Sequence, residues 1–457
     1  MGEPTRVLIL GGGFAGLATA RHLERQLRSD HQVAVTLISR DNFLLFTPML
    51  AEVAIGAVAP SHVTVPLRSL LRRVQVWQAE VSAIDLGARV VTVRHAASGH
   101  EHRLPYDQLV LALGAVSSYH GVSGAAEYTL GFKTLADAAQ ARARVVDCFE
   151  QAAIETDPAI RRALLTFVVA GGGYTGVELA AALADFLREL RRYYPALARE
   201  RLHLVLAHHG PRLLEELPEQ AAAYTLRLLQ REGIAVRLRT AVSRVAADCV
   251  ELSPGGVLPT HTVFWAAGVA PNPLVETLPL PKSPHGAVVV DAHLAVPGHS
   301  GLWALGDCAA VPNPKGGTYG PTAQNAEREG VLVAHNLLAT LRGAPLRAFD
   351  YQPMGMLASL GQHRAVGQVF GWQFAGLSAW LLWRTVYLAK LPTADRRLRV
   401  GLDWLADSLL PPNIINTAAP QVALRSGVGP AAGLAARQDR GHPREVPEGL
   451  HAPPPQG

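Results

Sequence analysis

Cysteine is nearly missing from this 457-residue chain: there are three, Cys148, Cys249 and Cys308. So few, so far apart, exclude a disulfide framework and a cysteine-rich metal centre, and they suit a reducing compartment. Lysine is almost as scarce, at 133, 282, 315 and 390 only, so arginine carries nearly all of the positive charge. The net charge is +5, yet no Lys/Arg run is long enough to form a nucleic-acid arm, and no nucleic acid is expected as a partner. Charged residues make up only 17% against 49% apolar, which excludes a disordered chain. No serine stands in a Gly-x-Ser-x-Gly elbow and no His/Cys spacing suits zinc, so no metal is expected.

Long hydrophobic runs are also lacking. Arg6 to Leu10 is too short for a signal peptide and ends in glycines. The stretch between Arg364 and Arg384 carries no charge, but Gln368, Gln373, Ser378 and several glycines interrupt it. It reads as a strand followed by an interfacial helix rather than a membrane span.

What is abundant is glycine, at 42 residues. Arg6–Leu10 is a buried-strand pattern, Gly11-Gly12-Gly13-Phe14-Ala15-Gly16 a glycine loop, Leu17–Leu27 a helix, and Val33–Ile38 a second strand. The pattern recurs: strand Leu164–Ala170, loop Gly171-Gly172-Gly173-Tyr174-Thr175-Gly176, helix Val177–Leu190, strand Leu202–Ala207. One such fingerprint is weak; two in the same strand–helix context point to two dinucleotide sites. Gly11 and Gly171 permit the tight turn, Gly13 and Gly173 let the backbone approach a pyrophosphate, and Gly16 and Gly176 let helix and sheet pack closely. An acid is expected at the end of each second strand to bind ribose. Ser39-Arg40 and His208 stand there instead, and a cation at His208 would tolerate NADPH. The short strand Leu302–Leu305 ends in Gly306-Asp307, a carboxylate able to bind a polyol.

These motifs resemble the two-dinucleotide-binding-domain flavoproteins over about residues 5–415, and within them type II NADH:quinone oxidoreductase. Phe46-Thr47-Pro48-Met49-Leu50 with Glu52 resembles that family's loop beside the flavin, and Phe132–Ala138 its linker into the NADH domain. Gly171–Leu179 resembles its second nucleotide motif, Pro321–Ala326 its quinone-side motif, and Trp380–Arg384 through Leu391-Pro392 the start of its membrane-binding C-terminus. Arg328 departs from the family, which often has a second glutamine there.

The resemblance implies an α/β fold: two Rossmann-like domains for FAD and NAD(P)H and a C-terminal β/helical membrane-association region. The expected division is 1–125 and 286–345 for FAD, 126–285 for NAD(P)H, 346–417 for the membrane region, and a disordered tail from 418 to 457. FAD and NADH are the implied cofactors, with NADPH admissible, and a quinone the acceptor. Phe14, Ala15, Pro48, Gly114, Gly306, Asp307, Ala323 and Gln324 are expected near FAD. Tyr174, Thr175, Glu178 and Gly268 are expected near the nicotinamide nucleotide. Glu178 is the candidate ribose contact or proton relay, Gln324 the candidate partner of a quinone carbonyl or the flavin pyrimidine, and Lys133 a candidate neutraliser of charge beside the flavin. Cys308 reads as a packed thiol. The missing cysteine pair argues against disulfide-reductase and sulfide:quinone chemistry.

The expected location is the cytoplasmic face of the cell membrane, attached peripherally. Leu377, Trp380, Leu381, Trp383, Tyr387 and Leu388 would enter the interface, and Arg384, Lys390, Arg396, Arg397 and Arg399 would meet anionic headgroups. Packing on the protein's own body, or a homodimer, is the alternative for this segment. A soluble reductase of an electron-carrier protein and a flavin-binding redox sensor are the competing functions.

Overall fold

The structure is a computed structural model that describes residues 3–27, 32–95, 97–410 and 414–415. The segment expected to be a disordered tail lies outside the described residues.

Two five-stranded parallel sheets dominate the fold. In the first, the strand order is Leu302–Ala304, Gln108–Leu111, Thr5–Leu10, Val33–Ser39, Gln75–Gln78, and every neighbouring pair is parallel. Val7, Leu8, Ile9 and Leu10 are buried together, as a central strand covered on both faces requires. The helices Phe14–Gln26 and Ala323–Leu341 lie side by side against it. Gly330 makes that approach possible, because a Cβ there would fall 2.4 Å from the Ala15 carbonyl oxygen.

The second sheet repeats the plan with the order Leu130–Gly131, Thr262–Trp265, Thr166–Ala170, His203–Ala207, Ile234–Arg237, again all parallel. The helix Tyr174–Leu190 packs on it, and Leu179, Ala180 and Leu183 share one core with Phe167 and Phe264. A short antiparallel pair, Ala115–Ser117 with Val269–Pro271, ties the two halves together.

The C-terminal region is an antiparallel meander, Gly355–Ser359, Ala365–Val369 and Trp372–Gly376, followed by the helices Leu377–Lys390 and Ala394–Leu409. The third strand runs to Gly376, and the helix begins at Leu377. Gly371, at φ +84°, turns the chain into that strand.

The helix pair is oriented differently from the sequence expectation. Trp380 and Trp383 are buried in the same core as Phe167, not presented outward. Arg384 is drawn in with them: its guanidinium carbon lies 3.9 Å from the Trp380 ring centroid and 4.6 Å from that of Trp404. Arg396 also turns inward and donates to the Thr64 carbonyl at 2.7 Å, while Lys390, Arg397 and Arg399 stay exposed.

The second helix buries Val400 and Trp404, and its polar side faces the body. Asp403 accepts from the Ala59 amide at 3.0 Å and lies 2.6 Å from His62 Nδ1. Its leucine stripe is therefore left outside: Leu398, Leu402, Leu405 and Leu409 are 65, 56, 56 and 74% exposed. Phe370, Trp372, Leu377 and Leu381 are exposed as well. Among the described residues no helix is long and apolar enough to cross a membrane.

Candidate functional site

The first glycine loop is shaped by backbone contacts. Gly11 has φ +112°, and a Cβ on it would lie 2.1 Å from the Ala112 oxygen; one on Gly16 would lie 1.9 Å from the Gly11 oxygen. These two glycines are required by the fold itself. Gly13 is different: a Cβ there meets nothing within 4 Å. It stands at the N-terminus of the helix Phe14–Gln26, where unpaired N–H groups favour an anion. The second loop matches it. Gly171 (φ +114°) and Gly176 are closed in by Ala266 and Gly171, whereas Gly173 faces open space. Each sheet thus carries a backbone cradle with no protein atom near its middle glycine.

Around the first cradle, Ser39 is buried under Gly12, whose added Cβ would lie 2.6 Å from Ser39 Oγ. Arg40 is exposed and lies 3.5 Å from Asp41. Phe14 packs edge-on against Phe46, with ring centroids 6.1 Å apart. Pro48 sits in the single turn Thr47–Met49 that follows Phe46. Gly114 (φ +68°) has open space beside it. Gly306 (φ +69°) approaches Ala15, its added Cβ lying 3.2 Å from the Ala15 Cβ. Asp307 beside it is paired with Lys133, Nζ to Oδ2 3.3 Å, so Lys133 is anchored at the carboxylate expected to bind a polyol rather than solvated in a linker.

A cavity of about 220 Å³ opens at this point, lined among others by Gly306, Asp307, Tyr319, Asn325 and Glu329. Asn325 Oδ1 is buried there without a partner. Open glycines at a helix N-terminus, a partnerless amide oxygen and a carboxylate on a strand end fit a dinucleotide with a polyol chain, and so fit FAD.

Glu329 is a member of this site that the motifs do not reveal. Its Oε2 accepts the Gly306 amide at 2.7 Å, which fixes the turn that presents Asp307. Burial, reinforced by the Asp307 charge and opposed by the Gly306 bond, pushes its carboxyl up to about 7. The signal was in the spacing: Ala326, Glu329 and Val333 fall on the buried face of one helix, and an acid at a core position asks for a partner.

Glu178, one turn into the helix Tyr174–Leu190, and Gln324, at the start of the helix Ala323–Leu341, hold opposite ends of one strand. Glu178 Oε1 accepts the Ser359 amide at 2.9 Å, and Gln324 Nε2 donates to the Gly355 carbonyl at 3.2 Å. The Tyr351 hydroxyl lies 3.3 Å from Gln324 Oε1. Ala323 is the first residue of its helix, behind the Thr322 cap, whose Oγ1 accepts from the Asn325 amide. Burial raises the Glu178 carboxyl to about 8, with the Glu52 charge adding to the rise and the Ser359 amide opposing it. The Trp383 indole N–H, which meets no partner at ordinary hydrogen-bond geometry, also opposes it.

Glu52 is raised to about 7, chiefly by burial, although it accepts the Trp404 indole N–H at 2.9 Å and has Arg384 nearby. Two protonatable carboxyls thus sit where the C-terminal helices meet the nucleotide halves.

At the second cradle Tyr174 is part-buried with its hydroxyl unpartnered, Thr175 is exposed, and Gly268 has φ +151°. His208 is buried, and its Nδ1 accepts the Gly172 amide at 3.1 Å. Burial and the neighbouring His209 lower its pKa. It supplies an acceptor to the glycine loop, and the lowered pKa disfavours a cation at this position. Cys308 is buried, its thiol pushed up to about 11 by burial, which leaves it a packed, unreactive group. Among the described residues no cluster could hold a metal ion.

Comparison with known proteins gives the same architecture. Residues 5–330 match the pyridine nucleotide-disulphide oxidoreductase family model, and 354–411 match the NDH2 C-terminal domain. A demethylphylloquinone reductase of Synechocystis is 34% identical, covering 88% of this chain and 96% of that protein. A type II NADH:quinone oxidoreductase of Mycobacterium tuberculosis is 32% identical, covering 87% of both. The solved structure of NDH2 from Plasmodium falciparum in complex with NADH superposes with a TM-score of 0.84 at 20% identity, covering 90% of this chain and all of that one, which shows the shared fold. The chain belongs to the pyridine nucleotide-disulphide oxidoreductases and, among them, to the type II NADH:quinone oxidoreductases.

Proposed function

We propose that the chain is an FAD-dependent NADH:quinone oxidoreductase attached peripherally to the cytoplasmic face of the cell membrane. The observation that carries this reading is the pair of open backbone cradles at Gly13 and Gly173, one on each parallel sheet, in a chain of this family. FAD, when bound, supplies the redox chemistry, accepting a hydride from NADH and passing two electrons to a quinone.

The chain's own residues bind, orient and handle the proton. The segments 1–125 and 286–345 form the FAD domain and 126–285 the NAD(P)H domain in this reading, with 346–417 as the membrane region. Phe14, Ala15 and Gly13 offer amides to the FAD pyrophosphate, and Asp307, steadied by Lys133 and by the Glu329-bound turn, takes the polyol. Reducing a quinone to a quinol needs two electrons and two protons, and a hydride brings only one proton. Glu178, protonated near neutral pH, is the group suited to hold the second.

The exposed stripe Leu398, Leu402, Leu405 and Leu409, together with Leu377, Leu381, Phe370 and Trp372, supports docking on a lipid surface, where a quinone dissolves. Lys390, Arg397 and Arg399 supply exposed positive charge to that side of the molecule. A soluble carrier-protein reductase has no use for such a stripe. A second copy of the chain is the other occupant it suits.

The test is NADH oxidation with a long-chain quinone embedded in anionic liposomes. Turnover with that quinone, and pelleting of the protein with the vesicles, is the expected result. Reduction of ferricyanide without reduction of the embedded quinone would favour the carrier-protein reading, and a dimer in solution that ignores vesicles would assign the stripe to a homodimer.

A further inference from the structure

In nucleotide-binding sheets the end of the second strand ordinarily presents an acid to the 2′-hydroxyl of the adenine ribose. Here that strand is His203–Ala207, and the residue after it is His208. With Nδ1 accepting from the Gly172 amide, the proton of the neutral ring sits on Nε2. Nε2 is buried and makes no hydrogen bond among the described residues; a carboxylate from further along the chain lies beside it, Glu215 Oε1 3.5 Å away. The loop folds back to bring it there. A Cβ added at Gly210 would lie 2.0 Å from Glu215 Oε1 and 2.6 Å from His208 Nε2, so the glycine leaves the room in which carboxylate and imidazole meet. The Glu215 side chain is 50% exposed, open to a ligand on its other side. The nearest arginine on that loop, Arg212, spends Nη2 on the Glu215 backbone carbonyl at 2.5 Å.

We propose that Glu215, carried back to the strand end by His208 and Gly210, is the acid that reads the adenine ribose 2′-hydroxyl and excludes a 2′-phosphate, making the enzyme selective for NADH over NADPH. This rests on the NADH-oxidising reading above. A 2′-phosphate carries nearly two negative charges and would face the carboxylate at contact distance, whereas a hydroxyl donates to it. The strand-end motif alone hides this, because the acid arrives through the loop and not at the motif position.

The experiment compares kcat/KM for NADH and NADPH, with ferricyanide as acceptor, in the wild type, Glu215→Gln and Gly210→Ala. Kd values for NAD+ and NADP+, from quenching of tryptophan fluorescence, are measured on the same proteins. The wild type should favour NADH by at least about a hundredfold, and Glu215→Gln should cut that ratio by about tenfold or more, mostly through better use of NADPH. Gly210→Ala, which pushes the carboxylate aside, should shift the ratio in the same direction. An unchanged ratio in Glu215→Gln overturns the proposal, as does a wild type that prefers NADPH, which would hand the ribose site to Arg212. If the protein oxidises neither nucleotide, the oxidoreductase reading has failed, while the NAD+/NADP+ binding ratio still decides the role of Glu215.

Discussion

The Ser359 amide donates to Glu178 Oε1 at 2.9 Å, which ties the C-terminal meander to the first turns of the helix that opens the second nucleotide cradle. Four residues earlier the same strand is held by Gln324 from the FAD-side helix. One strand of the C-terminal meander is therefore clamped from both sides, by the helices Tyr174–Leu190 and Ala323–Leu341.

Glu178→Gln keeps an acceptor for Ser359, whereas Glu178→Ala leaves that amide unsatisfied at a part-buried site. The alanine variant should lose about 1–3 kcal/mol of stability, read from urea unfolding midpoints, and the glutamine variant much less. Equal midpoints for the two would mean that the bond contributes nothing to the fold.

Burial raises the carboxyls of Glu52 and Glu329 to about 7 and that of Glu178 to about 8. A carboxyl raised on folding binds more protons in the native state than in the unfolded chain. Its stabilising contribution is present below the ordinary range near 4.5 and is lost as pH climbs to about 7 or 8. Melting temperature should fall between pH 5 and pH 9. Glu329→Gln, which keeps the acceptor for Gly306, should flatten the curve by an amount on the order of 2–3 kcal/mol. A curve of the same slope in this variant would show that Glu329 does not titrate in this window.

The glycines of the first loop should separate fold from ligand. Gly11→Ala drives a Cβ into the Ala112 carbonyl in a left-handed conformation, so it should destabilise the protein whether or not FAD is present. Gly13→Ala meets only open space in the protein, so it should fold normally and lose FAD affinity. The readouts are the far-ultraviolet circular dichroism of the apoprotein and the flavin-to-protein absorbance ratio. Full flavin content in Gly13→Ala would remove that cradle from the FAD site.

Replacing Leu398, Leu402, Leu405 and Leu409 by serine should abolish pelleting with anionic liposomes and leave NADH:ferricyanide turnover unchanged. Trp383→Ala, at a buried site, should instead cost about 3–5 kcal/mol of stability. If the serine variant still pellets, lipid is held elsewhere.

The parallel sheets, both cradles and the Gly306-Asp307 turn were legible because each is written in contiguous residues: a buried strand, glycines whose backbone must turn or approach, and a helix start. The orientation of the C-terminal helices was not. Leu377–Lys390 is apolar around much of its circumference, so its own pattern does not say whether Trp380 and Trp383 or Leu377 and Leu381 face the body. Arg384, stacked between Trp380 and Trp404, depends on a contact between two helices. In Ala394–Leu409 the leucines share one face, but which face meets the body is decided by the contacts of Asp403 and Arg396 with distant segments, Ala59, His62 and Thr64. Lys133 meets Asp307 across a long stretch of chain, and Glu215 reaches His208 by a folded loop; neither pairing leaves a local sequence signal.

The central claim is that this chain carries two electrons from NADH through bound FAD to a quinone. The most direct measurement is an anaerobic titration of the purified holoprotein followed at the flavin absorbance band. One equivalent of NADH should bleach the band, and one equivalent of a quinone should then restore it. A flavin that NADH leaves oxidised, or one that stays bleached after the quinone is added, would contradict the account.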